Sequence, residues 1–260
     1  MTEFKSYPHG TFCWVDLATT DAAGAKKFYT ELLGVSFVDI PVSEGMVYTM
    51  LQKNGKNTAA LYQQDPGQQG MPPYWASYVS VDNVDAVAGK VAELGGTVVM
   101  PVMDVMDSGR MAVIQDPTGA MVGLWQPGNH IGADICNEPG SLSWNELMTH
   151  DPDKAAEFYT KLLGWGHSAN DMGGMVYHVF TVGERSNAGM MKIQPEWGEV
   201  PPNWAVYFAV ENCDAAVERA TALGGKLQMP PSDAAGVGRF AILQDPQGAY
   251  FYVIQLFNPE

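Results

Sequence analysis

Two carboxylates stand inside apolar segments that read as strands. Asp16 lies in Phe12-Cys13-Trp14-Val15-Asp16-Leu17-Ala18, and Glu146 lies in Trp144-Asn145-Glu146-Leu147. Each follows a tryptophan by two residues, so on an extended chain it shares that tryptophan's face. An inward carboxylate is costly unless paired, which leaves two readings: a hydrogen-bonded structural group, or an acid/base or ligand anchor. Trp14, Trp75, Trp144 and Trp204 likewise admit two readings. They are core residues, or they line apolar grooves whose flat surfaces suit an aromatic or planar ligand. Arg110 and Arg239 each open a strand; there an arginine clamps a ligand carboxylate, pairs with Asp16 or Glu146, or faces solvent.

Metal and thiol chemistry find less support. The histidines are His9, His130, His150, His167 and His178, and no two sit at ligand spacing. Glu146 and His150 share a strand face, but four residues of extended chain span roughly 13 Å, too far for one ion without a bend. Cys13, Cys136 and Cys213 are odd in number, widely spaced and without a C-x-x-C pair, which argues against a disulfide framework and a structural zinc. The 15 methionines show no regular spacing and read as core filler.

The elements that must position these groups recur along the chain. Gly109-Arg110-Met111-Ala112-Val113-Ile114-Gln115-Asp116-Pro117-Thr118-Gly119-Ala120 returns 129 positions later, from Gly238 to Ala249. Each copy reads as strand, Asp-Pro-x-Gly turn, strand, with Asp116-Pro117 and Asp245-Pro246 as turn formers. Earlier, a strand over Thr11–Ala18 turns Val15 and Leu17 toward a helix and Trp14, Asp16 and Ala18 to the opposite side. Asp21 caps a helix over about Ala22–Leu33, which Gly34 closes. Segments Ser36–Ile40, Met46–Gln52 and Thr58–Tyr62 follow as strands. Trp14, Asp21, Leu33 and Gly34 then match Trp75, Asp82, Leu94 and Gly95 at an offset of 61. That match predicts a strand over Tyr74–Val81 and a helix carrying Val84, Val87, Val91 and Leu94. At an offset of 130 the second half restarts at Trp144 and Asp151, with Pro152 as first helical residue and Glu157 four before Lys161. Trp204 and Glu211 open a fourth copy. The chain thus reads as four βαβββ modules: domain 1 over residues 1–127, a linker over 128–139 and domain 2 over 140–260.

This architecture, with Asp21…Phe28-Tyr29, Asp151…Phe158-Tyr159 and the twin Asp-Pro-x-Gly turns, resembles the vicinal oxygen chelate superfamily. That group holds glyoxalase I, extradiol dioxygenases and bleomycin-resistance proteins. Cys13-Trp14-Val15-Asp16-Leu17, Trp144-Asn145-Glu146-Leu147 and the Gly-Arg-x-Ala…Gln-Asp-Pro-x-Gly-Ala stretches are similar to the two-domain glyoxalase-like proteins of bacteria. The resemblance implies an α+β fold in which each pair of modules curls its sheet around a groove. It also implies metal ligands, His, Gln or Glu, on the first and fourth strand of each module. By the internal alignment those positions are Trp14, Tyr62, Trp75 and Gly123 in one half and Trp144, Met191, Trp204 and Tyr252 in the other. None is an ordinary ligand for a divalent cation. No cofactor is therefore expected, and a divalent metal is disfavoured.

A chain of 260 residues, 46% hydrophobic, has ample core for two domains. Its 14 basic against 29 acidic residues give a net charge of −15, which argues against nucleic acid, whose phosphates are bound by Lys and Arg. Neither a membrane span nor a signal pattern is evident, so the expectation is a cytoplasmic protein, monomer or homodimer, with a small-molecule ligand. The functional expectation is a glyoxalase-like protein without the usual metal ligands, binding or transforming a small, partly aromatic or cationic molecule. Trp14, Tyr62, Trp75, Asp16 and Arg110 surround one groove, and Trp144, Trp204, Glu146, Tyr252 and Arg239 the other. The alternative is a metal-dependent lyase or isomerase of glyoxalase I type, or a dioxygenase or hydroxylase of the same superfamily.

Overall fold

A computed structural model describes residues 3–43, 45–68, 70–171 and 173–258. The first half runs β1 (Phe12–Thr19), α1 (Ala22–Leu33), β2 (Ser36–Ser43), β3 (Met46–Lys53), β4 (Lys56–Gln63), β5 (Tyr74–Ser80), α2 (Val84–Ala88), β6 (Thr97–Val105), β7 (Gly109–Gln115) and β8 (Met121–Pro127). The second half runs β9 (Leu142–Thr149), α3 (Pro152–Leu163), β10 (Gly166–Asp171), β11 (Val176–Val182), β12 (Arg185–Lys192), β13 (Asn203–Ala209), α4 (Cys213–Ala222), β14 (Lys226–Ala234), β15 (Gly238–Gln244) and β16 (Tyr250–Leu256). Each half forms one eight-stranded sheet, ordered β2-β3-β4-β1-β5-β8-β7-β6 and β10-β11-β12-β9-β13-β16-β15-β14. The opening strands of the two modules pair antiparallel at the centre, β1 with β5 and β9 with β13.

The helices end where their sequence says they should, with one exception. The Asp21 side chain accepts the Gly24 N–H, Asp151 accepts that of Lys154, and Gly34 and Gly164 close α1 and α3 in the left-handed region at φ 63° and 70°. The exception is α2, which stops at Ala88 although Val91 and Leu94 continue its apolar face. Gly89 follows, and single turns carry the chain from there to Gly95.

The capping residues of the even modules also differ from expectation. Asn83 caps α2 and Asn212 caps α4, each one position later than Asp82 and Glu211. The module offset is therefore one residue longer at the strand that precedes each helix. Side chains alternate along a strand, so this single step turns Trp75 and Trp204 onto the helix-covered face. They lie in the core, not in a groove.

The helix-covered faces of the two sheets meet each other. One core cluster joins Phe28, Tyr29 and Leu32 of α1 to Val206, Phe208 and Phe251 of the fourth module. The other joins Val79, Val122 and Leu124 of the second module to Phe158, Tyr159 and Phe180 of the third. Each such side chain contributes roughly 1.5–3 kcal/mol relative to exposure. Hydrogen bonds reinforce the contact. Trp75 Nε1 donates to Tyr29 Oη at 3.0 Å, and Tyr29 donates to Asp245 Oδ2 at 3.0 Å. Trp204, Tyr159 and Asp116 repeat this at 2.9 and 3.0 Å. The other oxygen of each aspartate accepts the backbone N–H groups that follow its Asp-Pro pair. The repeated turn is thus also the anchor for the opposite half.

The segment between Pro127 and Leu142 is stitched to the first half. Ala133 N donates to Cys13 O and Asp134 N to Asn57 O, both at 2.8 Å, and Tyr7 donates its hydroxyl to Ala133 O at 2.7 Å. Among the described residues no helix is long and apolar enough to cross a membrane.

Candidate functional site

The face of each sheet turned away from the opposite half carries the candidate groove, whose floor is closed over by its own side chains: Trp14 is 4% exposed and packs in a cluster with Tyr78 and Trp125. Trp14, Asp16 and Tyr78 face it in the first half, with Tyr48, Tyr62 and Trp125 beside them. Trp144, Glu146, Tyr207 and Tyr252 face it in the second, with Tyr177 and Met191. Asp16 is 5% exposed and Glu146 3%. Small residues flank each carboxylate on both neighbouring strands, Ala60 and Ala76 beside Asp16, Gly189 and Ala205 beside Glu146. That leaves room for side chains from further off to reach in.

Phenols fill that room. Tyr48 donates its hydroxyl to Asp16 Oδ2 at 2.9 Å and receives the Trp14 indole N–H at 2.8 Å. Tyr78 lies 3.2 Å from both Asp16 oxygens. In the second half Tyr207 donates to Glu146 Oε2 at 2.7 Å, and Trp144 Nε1 donates to Tyr177 Oη at 3.2 Å, with the Tyr177 hydroxyl near enough to Glu146 to favour its charged form. The two grooves therefore hold the same set of a tryptophan, two tyrosines and a carboxylate. Glycine is required at one point of each. A Cβ on Gly123 would collide with the Tyr78 ring, and one on Gly189 with the Tyr177 hydroxyl.

Burial pushes the Asp16 carboxyl up to about 7, against the pull of the Tyr48 and Tyr78 hydrogen bonds. Burial raises Glu146 too, while Tyr207 and Tyr177 hold it down. The tyrosines around each carboxylate are raised, first by burial and next by that carboxylate's charge. No ion pair among the described residues reaches either carboxylate. A buried acid titrating near neutrality, with hydroxyl partners and no cation, can accept and return a proton.

The expected residues divide between groove and elsewhere. Trp14, Asp16, Tyr62, Trp144, Glu146 and Tyr252 are on the groove faces, and Tyr252 packs on Tyr207 with ring centroids 4.4 Å apart. Trp75 and Trp204 are on the opposite face for the register reason given above. Arg110 and Arg239 make surface ion pairs. Arg110 joins Asp85 and, at 2.8 Å, Asp104; Arg239 joins Asp214 at 2.7 Å and Asp233 at 2.9 Å. They follow their helix-facing neighbours out to the first turn of α2 and α4, so neither clamps a groove ligand nor pairs with Asp16 or Glu146. Tyr48, Tyr78, Tyr177 and Tyr207 are the residues that the sequence reading missed.

The donor set does not suit a divalent cation. Among the described residues no three His, Cys, Asp or Glu side chains are placed to hold one. Each groove offers a single carboxylate already engaged by phenols. His167 and His178 meet at 2.9 Å, but on β10 and β11 at the far edge of the second sheet. Two surface depressions, one lined by Gln63, Gln64 and Asp65 and one by Lys27, Leu223 and Gln247, lie outside both grooves and contain no buried acid or base.

Residues 11–124 and 141–253 both match the Glyoxalase/Bleomycin resistance protein/Dioxygenase superfamily. The chain belongs to that superfamily. It is 48% identical over 258 residues, 98% of each chain, to "Putative glyoxylase CFP32" of Mycobacterium tuberculosis. It is 39% identical over 270 residues to the anthracycline biosynthesis protein DnrV of Streptomyces peucetius, covering 98% of this chain and 96% of DnrV. The fold is similar to that of the Mn(II)-bound glyoxalase from Novosphingobium aromaticivorans, with TM-score 0.65 and 15% identity over 97% of this chain and 86% of that one. The 2,3-dioxygenase LapB from Pseudomonas sp. KL28 gives TM-score 0.66 and 13% identity over 97% and 95%. This superfamily member thus shares its fold with an Mn(II)-bound glyoxalase and a 2,3-dioxygenase.

Proposed function

We propose that the protein binds a small, planar, partly aromatic molecule in a tryptophan-lined groove and moves a proton on it without a metal. The supporting observation is the buried Asp16, which has phenol partners, no cation and a titration near neutrality. Asp16 is the acid/base group of the first groove and Glu146 its counterpart in the second, with Trp14 and Trp144 as the flat walls. Tyr48 and Tyr78 hold the Asp16 carboxyl in place and stabilise its charge when the proton leaves. The kinship with DnrV favours a polycyclic aromatic ligand over a purely aliphatic one.

Tryptophan fluorescence titrated with planar aromatic compounds tests the reading. Quenching is expected in the native protein, with loss of turnover and retained binding in Asp16→Asn. Failure of every planar compound to quench would reject it. The name of CFP32 favours a second reading, a metal-dependent glyoxalase. Stoichiometric metal in the purified protein, with activity on methylglyoxal–thiol adducts, would select that one.

A further inference from the structure

The segment joining the two halves places at the first groove a buried imidazole nitrogen that nothing in the molecule satisfies. Gly132 packs so closely under the β1 backbone that a Cβ there would collide with the Cys13 carbonyl oxygen. The Cys13 carbonyl accepts the N–H of Ala133, and Trp125 Nε1 donates to the His130 carbonyl oxygen at 2.9 Å. These contacts fix the backbone on either side of His130. The ring itself stands edge-on to Trp14, centroids 4.6 Å apart at 87°, and 5.8 Å from Trp125. Its Nε2 is buried and has no hydrogen-bond partner. Buried polar atoms are almost always paired, so an orphan beside a candidate groove points to a partner that arrives from outside. Burial also lowers the His130 pKa, against the pull of Asp134, so the ring is neutral near pH 7 and Nε2 can face an uncharged oxygen.

We propose that His130 is a specificity-determining residue of the first groove, its Nε2 hydrogen-bonding a ring hydroxyl or quinone-type carbonyl on a planar aromatic ligand that lies along Trp14. This rests on the proposed function above and adds the polar group by which that ligand is chosen. The imidazole reads that oxygen beside the Trp14 ring, whose own Nε1 is already held by Tyr48 and, through it, by Asp16.

The test compares 2-naphthol with naphthalene, followed by tryptophan fluorescence and calorimetry on the native protein and on His130→Phe. Phe keeps the ring volume, and the Trp125 bond goes to the backbone, so the strap stays tied. The native protein is expected to prefer 2-naphthol about tenfold. In His130→Phe that preference disappears while naphthalene binds as before. In the native protein labelled with 15N-histidine, the His130 Nε2 resonance is expected to shift with 2-naphthol and stay still with naphthalene, which tests the contact without any variant. A retained preference in the variant, or an unmoved Nε2 resonance, overturns the role of His130. Native binding of both probes without preference also overturns it and leaves the groove reading standing. Native binding of neither overturns both.

Discussion

Tyr159, in the second half of the chain, donates its hydroxyl proton to Oδ2 of Asp116 in the first half at 3.0 Å. The same oxygen of Tyr159 receives the Trp204 indole N–H. Tyr159→Phe strands a buried carboxylate oxygen and a buried indole N–H at once. A loss on the order of 1–3 kcal/mol is expected in chemical denaturation, and Tyr29→Phe should lose a similar amount at the matching Asp245. Because both core clusters cross between the halves, each variant should still unfold in one transition.

The titration of Asp16 sets a pH dependence. Its folded pKa of about 7 stands above the ordinary carboxyl value near 4, so the folded protein holds a proton that the unfolded chain has released. Stability should therefore fall as pH rises from about 4 to about 7 and level off above. Asp16→Asn cannot charge and should remove that slope, gaining on the order of 1–3 kcal/mol at pH 8 over the native protein. Thermal unfolding of both proteins at pH 5 and pH 8 is the check; parallel curves would count against the raised pKa.

Gly189 tests how the second groove is built. An added methyl collides with the Tyr177 hydroxyl, so Gly189→Ala should drive Tyr177 off Trp144. A changed Trp144 emission and a stability loss of about 1–3 kcal/mol are expected. The first groove carries Ala60 at the corresponding register and should be unaffected.

The tryptophans should separate by face. Trp14→Phe is expected to weaken planar-ligand binding in the first groove, whereas Trp75→Phe should leave affinity unchanged and lower stability through its lost bond to Tyr29. Equal effects on affinity, measured by calorimetry, would contradict the register described here.

Arg110→Gln and Arg239→Gln remove surface ion pairs that solvent screens, so stability should hardly change. Ligand affinity should not move in either variant.

The repeats, most strands and the α1 and α3 boundaries were legible in the sequence because caps and alternation are local signals. Asp16 and Glu146 were legible for the same reason, as charges inside apolar strands. The tyrosines were not, because Tyr78 reaches Asp16 from the neighbouring β5 and Tyr48 from β3, across β4, and only the folded sheet brings them together. A signal for them existed: the 129-residue offset that aligns the two Asp-Pro turns also aligns Tyr48 with Tyr177 and Tyr78 with Tyr207. Trp75 and Trp204 were misplaced because tryptophan spacing looked constant while the caps had moved by one residue, from Asp82 to Asn83 and from Glu211 to Asn212. On a strand, one residue is a change of face.

The two clusters that cross between the halves make the molecule a dimer written into a single polypeptide. Were one half to assemble with an identical copy, every substitution would fall on both grooves together. Joined head to tail, each half always meets an unlike partner in equal amount, and the grooves are free to diverge. Aspartate in one and glutamate in the other, Gly123 facing Tyr78 and Tyr252 facing Tyr207, are the marks of that freedom.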